Sequence, residues 1–145
     1  MSPALDRTLR IVAAVLILIQ AVTHVQRWLE GYRAIDVIGP LFIVNAVAAV
    51  VVAVVLVARG GLASGLAGIG LSLVTLVAFA LSRQATLFGF SESRWDTLAF
   101  FAVGAEVAAV LVLLAWASLA SRSGERTGTA IERDLRRLGL AAPPP

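Results

Sequence analysis

The sequence contains no cysteine and no lysine, has a single histidine, and carries charge on only 14% of its residues. Without cysteine there are no disulfides, no thiol redox chemistry, no thiolate metal site and no iron–sulfur ligation. One histidine without cysteine cannot build a structural zinc site, and bis-histidine haem ligation within one chain is impossible, so neither metal nor cofactor is expected. No GxSxG, HExxH, P-loop or dinucleotide fingerprint occurs. The loose match "GLAGIG" (Gly65 to Gly70) sits inside an apolar run, where it reads as packing. Serine and threonine nucleophiles lack a base at suitable spacing, which makes an embedded enzyme the weakest functional class.

What is present is apolar. Of 145 residues 59% are hydrophobic and the mean hydropathy is +0.92, whereas a soluble domain needs far more polar residues to cover its surface. The chain reads as an integral membrane protein. Four hydrophobic runs, Leu9 to Trp28, Gly39 to Ala58, Leu62 to Ser82 and Thr97 to Leu119, each reach the roughly 20 residues that cross a bilayer. The first resembles a signal peptide with Arg7 and Arg10 as its basic region. It is longer than a usual signal core and lacks a small-residue cleavage site, so we read it as a retained helix. The expected fold is an all-α, four-span membrane bundle over 9–119, with a short segment 1–8 before it and a tail 120–145 after it.

All 12 basic residues are arginine, and they lie at the ends of the runs. They form no patch with interleaved aromatics, so nucleic acid is not an expected partner. With the N-terminus in the cytoplasm, eight lie inside (Arg7, Arg10, Arg59, Arg122, Arg126, Arg133, Arg136 and Arg137) and four outside (Arg27, Arg33, Arg83 and Arg94). The positive-inside rule therefore places both termini in the cytoplasm and the chain in the cell membrane. Trp28, Tyr32, Phe88, Phe90 and Trp95 gather at the outer boundary and Trp116 near the inner one, as interfacial aromatics do. In the tail, "SRSGERTGT" reads as a flexible linker. "AIERDLRRLGL" then reads either as a short amphipathic helix on anionic lipid over about 130–140, or as a solvated tail.

Local signals mark the helix ends. Pro40 suits a first helical turn, "ARGG" (Ala58 to Gly61) a tight turn with glycines at positive φ, and "SRWD" (Ser93 to Asp96) a capping box opening the fourth helix. The third helix carries a seam of Gly61, Gly65, Gly68, Ser72, Thr75, Phe79 and Ser82 at alternating steps of four and three. Small residues so spaced let helices approach closely in lipid. The short loops favour a docking neighbour in the same chain over a second copy or a partner membrane protein.

Few polar side chains interrupt the runs. Counted inward from the outer boundary, Gln20 lies about 12 Å deep, Asn45 about 9 Å, Thr75 about 10 Å and Glu106 about 14 Å. His24 lies one turn from Gln20 on the same face, with Arg27 continuing it outward. Gln20, His24, Asn45, Thr75 and Glu106 thus form one candidate cluster, rimmed by the outer-loop residues Phe90, Glu92, Arg94 and Trp95 together with Arg27. In hydrocarbon an isolated carboxyl keeps its proton, whereas one beside His24 or Arg27 ionises. The cluster then reads as a proton-coupled site, as the polar end of a ligand pocket, or as a clamp of interhelical hydrogen bonds worth about 0.6 to 2 kcal/mol each. The leading functional expectation is a non-enzymatic membrane protein, an accessory or interaction subunit or a small ligand-binding protein. The alternative is a proton-coupled transport element using Glu106.

"GPLFIVNA" (Gly39 to Ala46), "LFGFSESRW" (Leu87 to Trp95) and "GAEVAAV" (Gly104 to Val110), with His24 closing the first run, resemble a group of small, uncharacterised four-span membrane proteins of actinobacteria. The likeness covers about 9–119, and its matching positions are His24, Phe42, Asn45, Gly89, Phe90, Glu92 and Glu106. It implies the four-span topology and the same polar positions, and it implies no reaction.

Overall fold

A computed structural model describes residues 1–84, 86–92 and 95–137; beyond Arg122 only the backbone and the side chain of Leu135 are described. The described chain is all-helical, with four helices, α1 (Pro3–Leu29), α2 (Ile38–Ala58), α3 (Leu62–Gln84) and α4 (Thr97–Arg137). Each contains a stretch long and apolar enough to cross a membrane, that of α4 ending at Arg122. The chain is a multi-pass membrane bundle. Antiparallel succession puts the N-terminus, the α2–α3 turn and the far end of α4 at one pole, called here the terminus end. The α1–α2 and α3–α4 connections lie at the other pole, the loop end.

Packing is inverted relative to a soluble protein. Ala13, Ala14, Ala21, Ala46, Ala49, Ala53 and Ala109 are buried with Ile17, Leu56, Leu113 and Trp116, while Val44, Val47, Val51, Val54, Val74, Val77, Phe100 and Phe101 face outward. Lipid gives no advantage to burying valine over alanine, so the small residues take the interior where backbones must approach. α1 packs on both α2 and α4, and α3 packs mainly on α4. The α2–α3 contact is the least extensive between chain neighbours.

Several helix ends differ from the sequence reading. α1 begins six residues earlier than the hydrophobic run, because Ser2 Oγ accepts from Leu5 N–H at 3.2 Å and Pro3 occupies the first turn. Asp96 caps α4: its carboxylate accepts from Ala99 N–H at 2.9 Å and α4 starts at Thr97. Ser93, read as opening a capping box, lies outside the described residues. α4 also runs without a break through the stretch read as a linker, as far as Arg137. No proline interrupts it, and Gly124 and Gly128 weaken a helix without forbidding one. Of the expected 130–140 helix, 130–137 continues α4 and the remainder lies outside the described residues. At the terminus end Gly60 and Gly61 make the α2–α3 turn at φ of 64° and 87°, as the sequence predicts.

The small-residue seam docks within the chain. A Cβ on Gly65 would lie 2.4 Å from the Trp116 ring, and one on Gly68 would lie 2.8 Å from Leu113 and 3.1 Å from Ile17. A Cβ on Gly61, by contrast, would meet nothing within 4 Å, and that residue belongs to the turn. Trp116 is not an interfacial aromatic: it is buried, and its Nε1–H donates to Asp6 at 2.8 Å. Asp6 also pairs with Arg10 at 2.8 Å, and Arg10 donates to the terminal carbonyls of α2, Leu56 and Val57, at 3.1 and 3.2 Å. This network ties α1, α2 and α4 together at the terminus end.

Candidate functional site

The five polar residues expected to form one cluster do converge near the loop end, but they separate into two groups with different chemistry. The first is a closed knot. Gln20 of α1 donates to Asn45 of α2 at 3.0 Å and to Thr75 of α3 at 3.1 Å, and Asn45 donates to Thr75 at 2.7 Å. Ser72 closes it, donating to the side-chain amide oxygen Oε1 of Gln20 at 3.2 Å. Gln20 and Ser72 are fully buried. Ser72 was expected to be a packing residue and is a hydrogen-bonding one. A serine on a small-residue seam serves either role, and only the position of Gln20 decides between them. The knot accounts for the clamp reading at Gln20, Asn45 and Thr75.

Glu106 and His24 stand apart from it. His24 Nδ1 lies 2.9 Å from the carbonyl oxygen of Gln20. A carbonyl only accepts, so Nδ1 carries the proton and, in the neutral ring, Nε2 keeps a free lone pair. The His24 ring lies 5.0 Å from that of Phe42. Glu106 is 2% exposed, and among the described residues its side chain makes no hydrogen bond or ion pair. The pairing with His24 or Arg27 weighed from the sequence is not formed. Arg27 instead bonds Asp96 at the start of α4 and Glu30 at 3.2 Å.

Both residues line a cavity of about 350 Å³ bounded by all four helices and the α3–α4 loop. α2 contributes Phe42, Asn45 and Ala48, α3 contributes Leu71, Thr75, Ala78 and Phe79, and α4 contributes Ala99, Ala102, Val103 and Glu106. The wall is mostly apolar, with a few polar groups converging, as in small-molecule sites generally. Leu41, Val44 and Val74 also line it while facing outward at 45%, 62% and 68% exposure. The cavity therefore opens sideways, between α2 and α3.

The loop end forms its roof. Leu87 and Phe90 exchange backbone hydrogen bonds at 2.8 and 2.9 Å around a two-residue turn, with Phe88 and Gly89 both at positive φ, the geometry of a tight hairpin. Glu92 N–H donates to Ser82 at 2.8 Å, pinning the loop to the end of α3. Glu92 and Phe90 line the cavity with Tyr32, whose hydroxyl donates to the Glu92 carboxylate. Burial, and next the carboxylate of Glu92, push the Tyr32 phenol up to about 12. Of the expected rim, Arg27, Phe90 and Glu92 thus meet at the cavity. Trp95 stacks outside it, 5.4 Å from Phe79 and under Arg83, and Arg94 lies outside the described residues. Sequence reasoning missed Tyr32 as a site residue, because a lone tyrosine at a boundary reads as an interfacial anchor.

The chain matches no protein-family model, no curated protein and no solved structure. The functional reading therefore rests on the geometry of the cavity.

Proposed function

We propose that this is a non-enzymatic protein of the cell membrane, both termini cytoplasmic, that binds a small molecule in the cavity beside Glu106. The arginine asymmetry of the sequence supports the orientation: Arg7, Arg10, Arg59, Arg122, Arg126, Arg133, Arg136 and Arg137 belong to the segments of the terminus end, against Arg27, Arg33, Arg83 and Arg94 in those of the loop end, which would face outside. One observation carries the binding role. A carboxyl side chain almost wholly removed from the surface stands in the wall of an apolar cavity without a partner among the described residues. Ionisable groups inside membrane bundles are costly and are kept for a task, and a structural clamp would have paired this one. The seam that a partner protein or a second copy would need is occupied within the chain, so ligand binding is better supported than a purely accessory role.

The test is to fill the cavity. Ala102→Trp places an indole beside Glu106 from α4. Native mass spectrometry of wild-type protein extracted in mild detergent is expected to show a bound small molecule that the variant lacks. An equally loaded variant, or a wild-type protein that carries nothing, would refute the reading. The same absence of a partner supports proton-coupled transport through Glu106 as a second reading. In that case Glu106→Gln abolishes a pH-dependent flux in proteoliposomes while the fold is retained.

A further inference from the structure

We infer that the cavity takes a lipophilic organic cation, of the quaternary ammonium or phosphonium kind, which arrives from the membrane between α2 and α3 and exchanges with a proton at Glu106. The inference rests on the reading of the cavity as a binding site and adds the chemical class of its occupant.

The charges around the cavity decide the sign. From α1 it is faced by His24 and Arg27, from the α1–α2 connection by Tyr32, from the α3–α4 loop by Glu92, and from α4 by Glu106. α2 has no charged residue, and the single charge of α3, Arg83, stacks on Phe79 at 4.8 Å and on Trp95 at 4.1 Å. Arg27 is held by Asp96 and Glu30. Two carboxyl groups therefore face the cavity, and its one arginine is already engaged by two further acids. An anionic ligand would meet Glu92 and Glu106 with no uncommitted cation among the described residues lining the cavity.

The remaining polar groups point the same way. With Nδ1–H donated to Gln20, a neutral His24 offers only the Nε2 lone pair to the cavity. Asn45 donates one amide hydrogen to Thr75 and accepts from Gln20 at its side-chain oxygen, while the Thr75 hydroxyl donates to the Leu71 carbonyl. Phe42, Tyr32 and Phe90 form a chain of tilted and edge-on rings with centroids 5.2 and 5.5 Å apart. Ring faces of this kind attract cations, most strongly where water is excluded. Lone pairs, ring faces and a carboxylate all favour positive charge. The apolar remainder and the sideways opening suit a ligand dissolved in the bilayer.

Exchange follows from Glu106 having no counter-charge among the described residues. The carboxyl is neutral when it holds its proton. When the cation takes that place the proton leaves to water, so charge in the cavity is conserved and each cation bound releases about one proton. Binding must then strengthen as pH rises.

The experiment compares benzyltrimethylammonium with neopentylbenzene, its uncharged carbon isostere, and with benzenesulfonate. Each is titrated into the full chain in nanodiscs by equilibrium dialysis against empty discs. The cation is expected to bind at least about tenfold more tightly than the isostere, to gain affinity with pH, and to lose at least about tenfold in Glu106→Gln. Glu106→Asp, which keeps the charge, should retain the preference. Undiminished binding of the isostere by Glu106→Gln shows that the variant is folded and the cavity intact. If the isostere or the sulfonate binds as well as the cation, or if the cation is indifferent to Glu106→Gln and to pH, the cation assignment is overturned while the binding cavity stands. If none of the three binds, both fall.

Discussion

Replacing Gly65 by alanine tests the packing on which the bundle depends. The added Cβ would lie 2.4 Å from Cζ3 and 3.1 Å from Cε3 of Trp116, whereas carbon atoms rest about 3.5–4.0 Å apart. Either the indole retreats by about 1 Å or α3 moves off α4 by as much. Overpacking of this size costs about 1–3 kcal/mol. The indole has little freedom to retreat, because its N–H is held by Asp6 at 2.8 Å. Stretching that bond to a carboxylate forfeits part of a further 1.5–3 kcal/mol or so. Gly65→Ala should therefore destabilise the protein by about 2–4 kcal/mol, read by circular dichroism during unfolding in mixed detergent–SDS micelles. The atoms in the way belong to the six-membered ring of the indole, part of which phenylalanine lacks. In the double variant with Trp116→Phe the two costs should fall short of additive by at least about 1 kcal/mol. A Gly65→Ala protein within about 0.5 kcal/mol of wild type, or strict additivity, would refute a seam that docks on Trp116.

Two further predictions concern the polar groups. Gln20→Leu removes the centre of the knot and leaves Asn45, Thr75 and Ser72 with fewer partners; it should cost about 1–3 kcal/mol in the same unfolding assay, and an unchanged protein would show that the knot contributes nothing. Tyr32 is the one tyrosine of the chain, so absorbance at 295 nm follows it alone. Its ionisation is expected near pH 12 and nearer its ordinary value of 10 in Glu92→Gln. Because the folded value is the higher one, the stability it contributes is complete below pH 10 and is lost as pH rises toward 12. A midpoint near 10 in the wild-type protein would mean that the hydroxyl does not sit under the roof against Glu92.

Much of this architecture was legible because lipid imposes simple demands. A chain that must hydrogen-bond its own backbone across hydrocarbon forms helices of span length, and the four runs announce them. The polar positions were equally visible, since Gln20, His24, Asn45, Thr75 and Glu106 are conspicuous in so apolar a context, and a rise of about 1.5 Å per residue places Gln20, Asn45, Thr75 and Glu106 at similar depths. The tight turn at Gly60 and Gly61 was readable from residue type. The cap of α4 was not, because Ser93 and Asp96 are both good caps and only the observed start of the helix selects one.

The sequence by itself thus determined four spans, their antiparallel order, a shared polar layer and a small-residue seam. Each of these is a property of one helix or of one short connection. Which polar groups bond one another was decided only in the tertiary structure, because depth along an axis says nothing about the azimuth at which neighbouring helices meet. That azimuth draws Ser72 into the knot with Gln20, and it seats Trp116 on Asp6 across 110 positions of sequence. It also leaves Glu106 in the wall of the cavity with no partner among the described residues. The carboxylate could be seen in the sequence, but its solitude depends on where three other helices turn their faces.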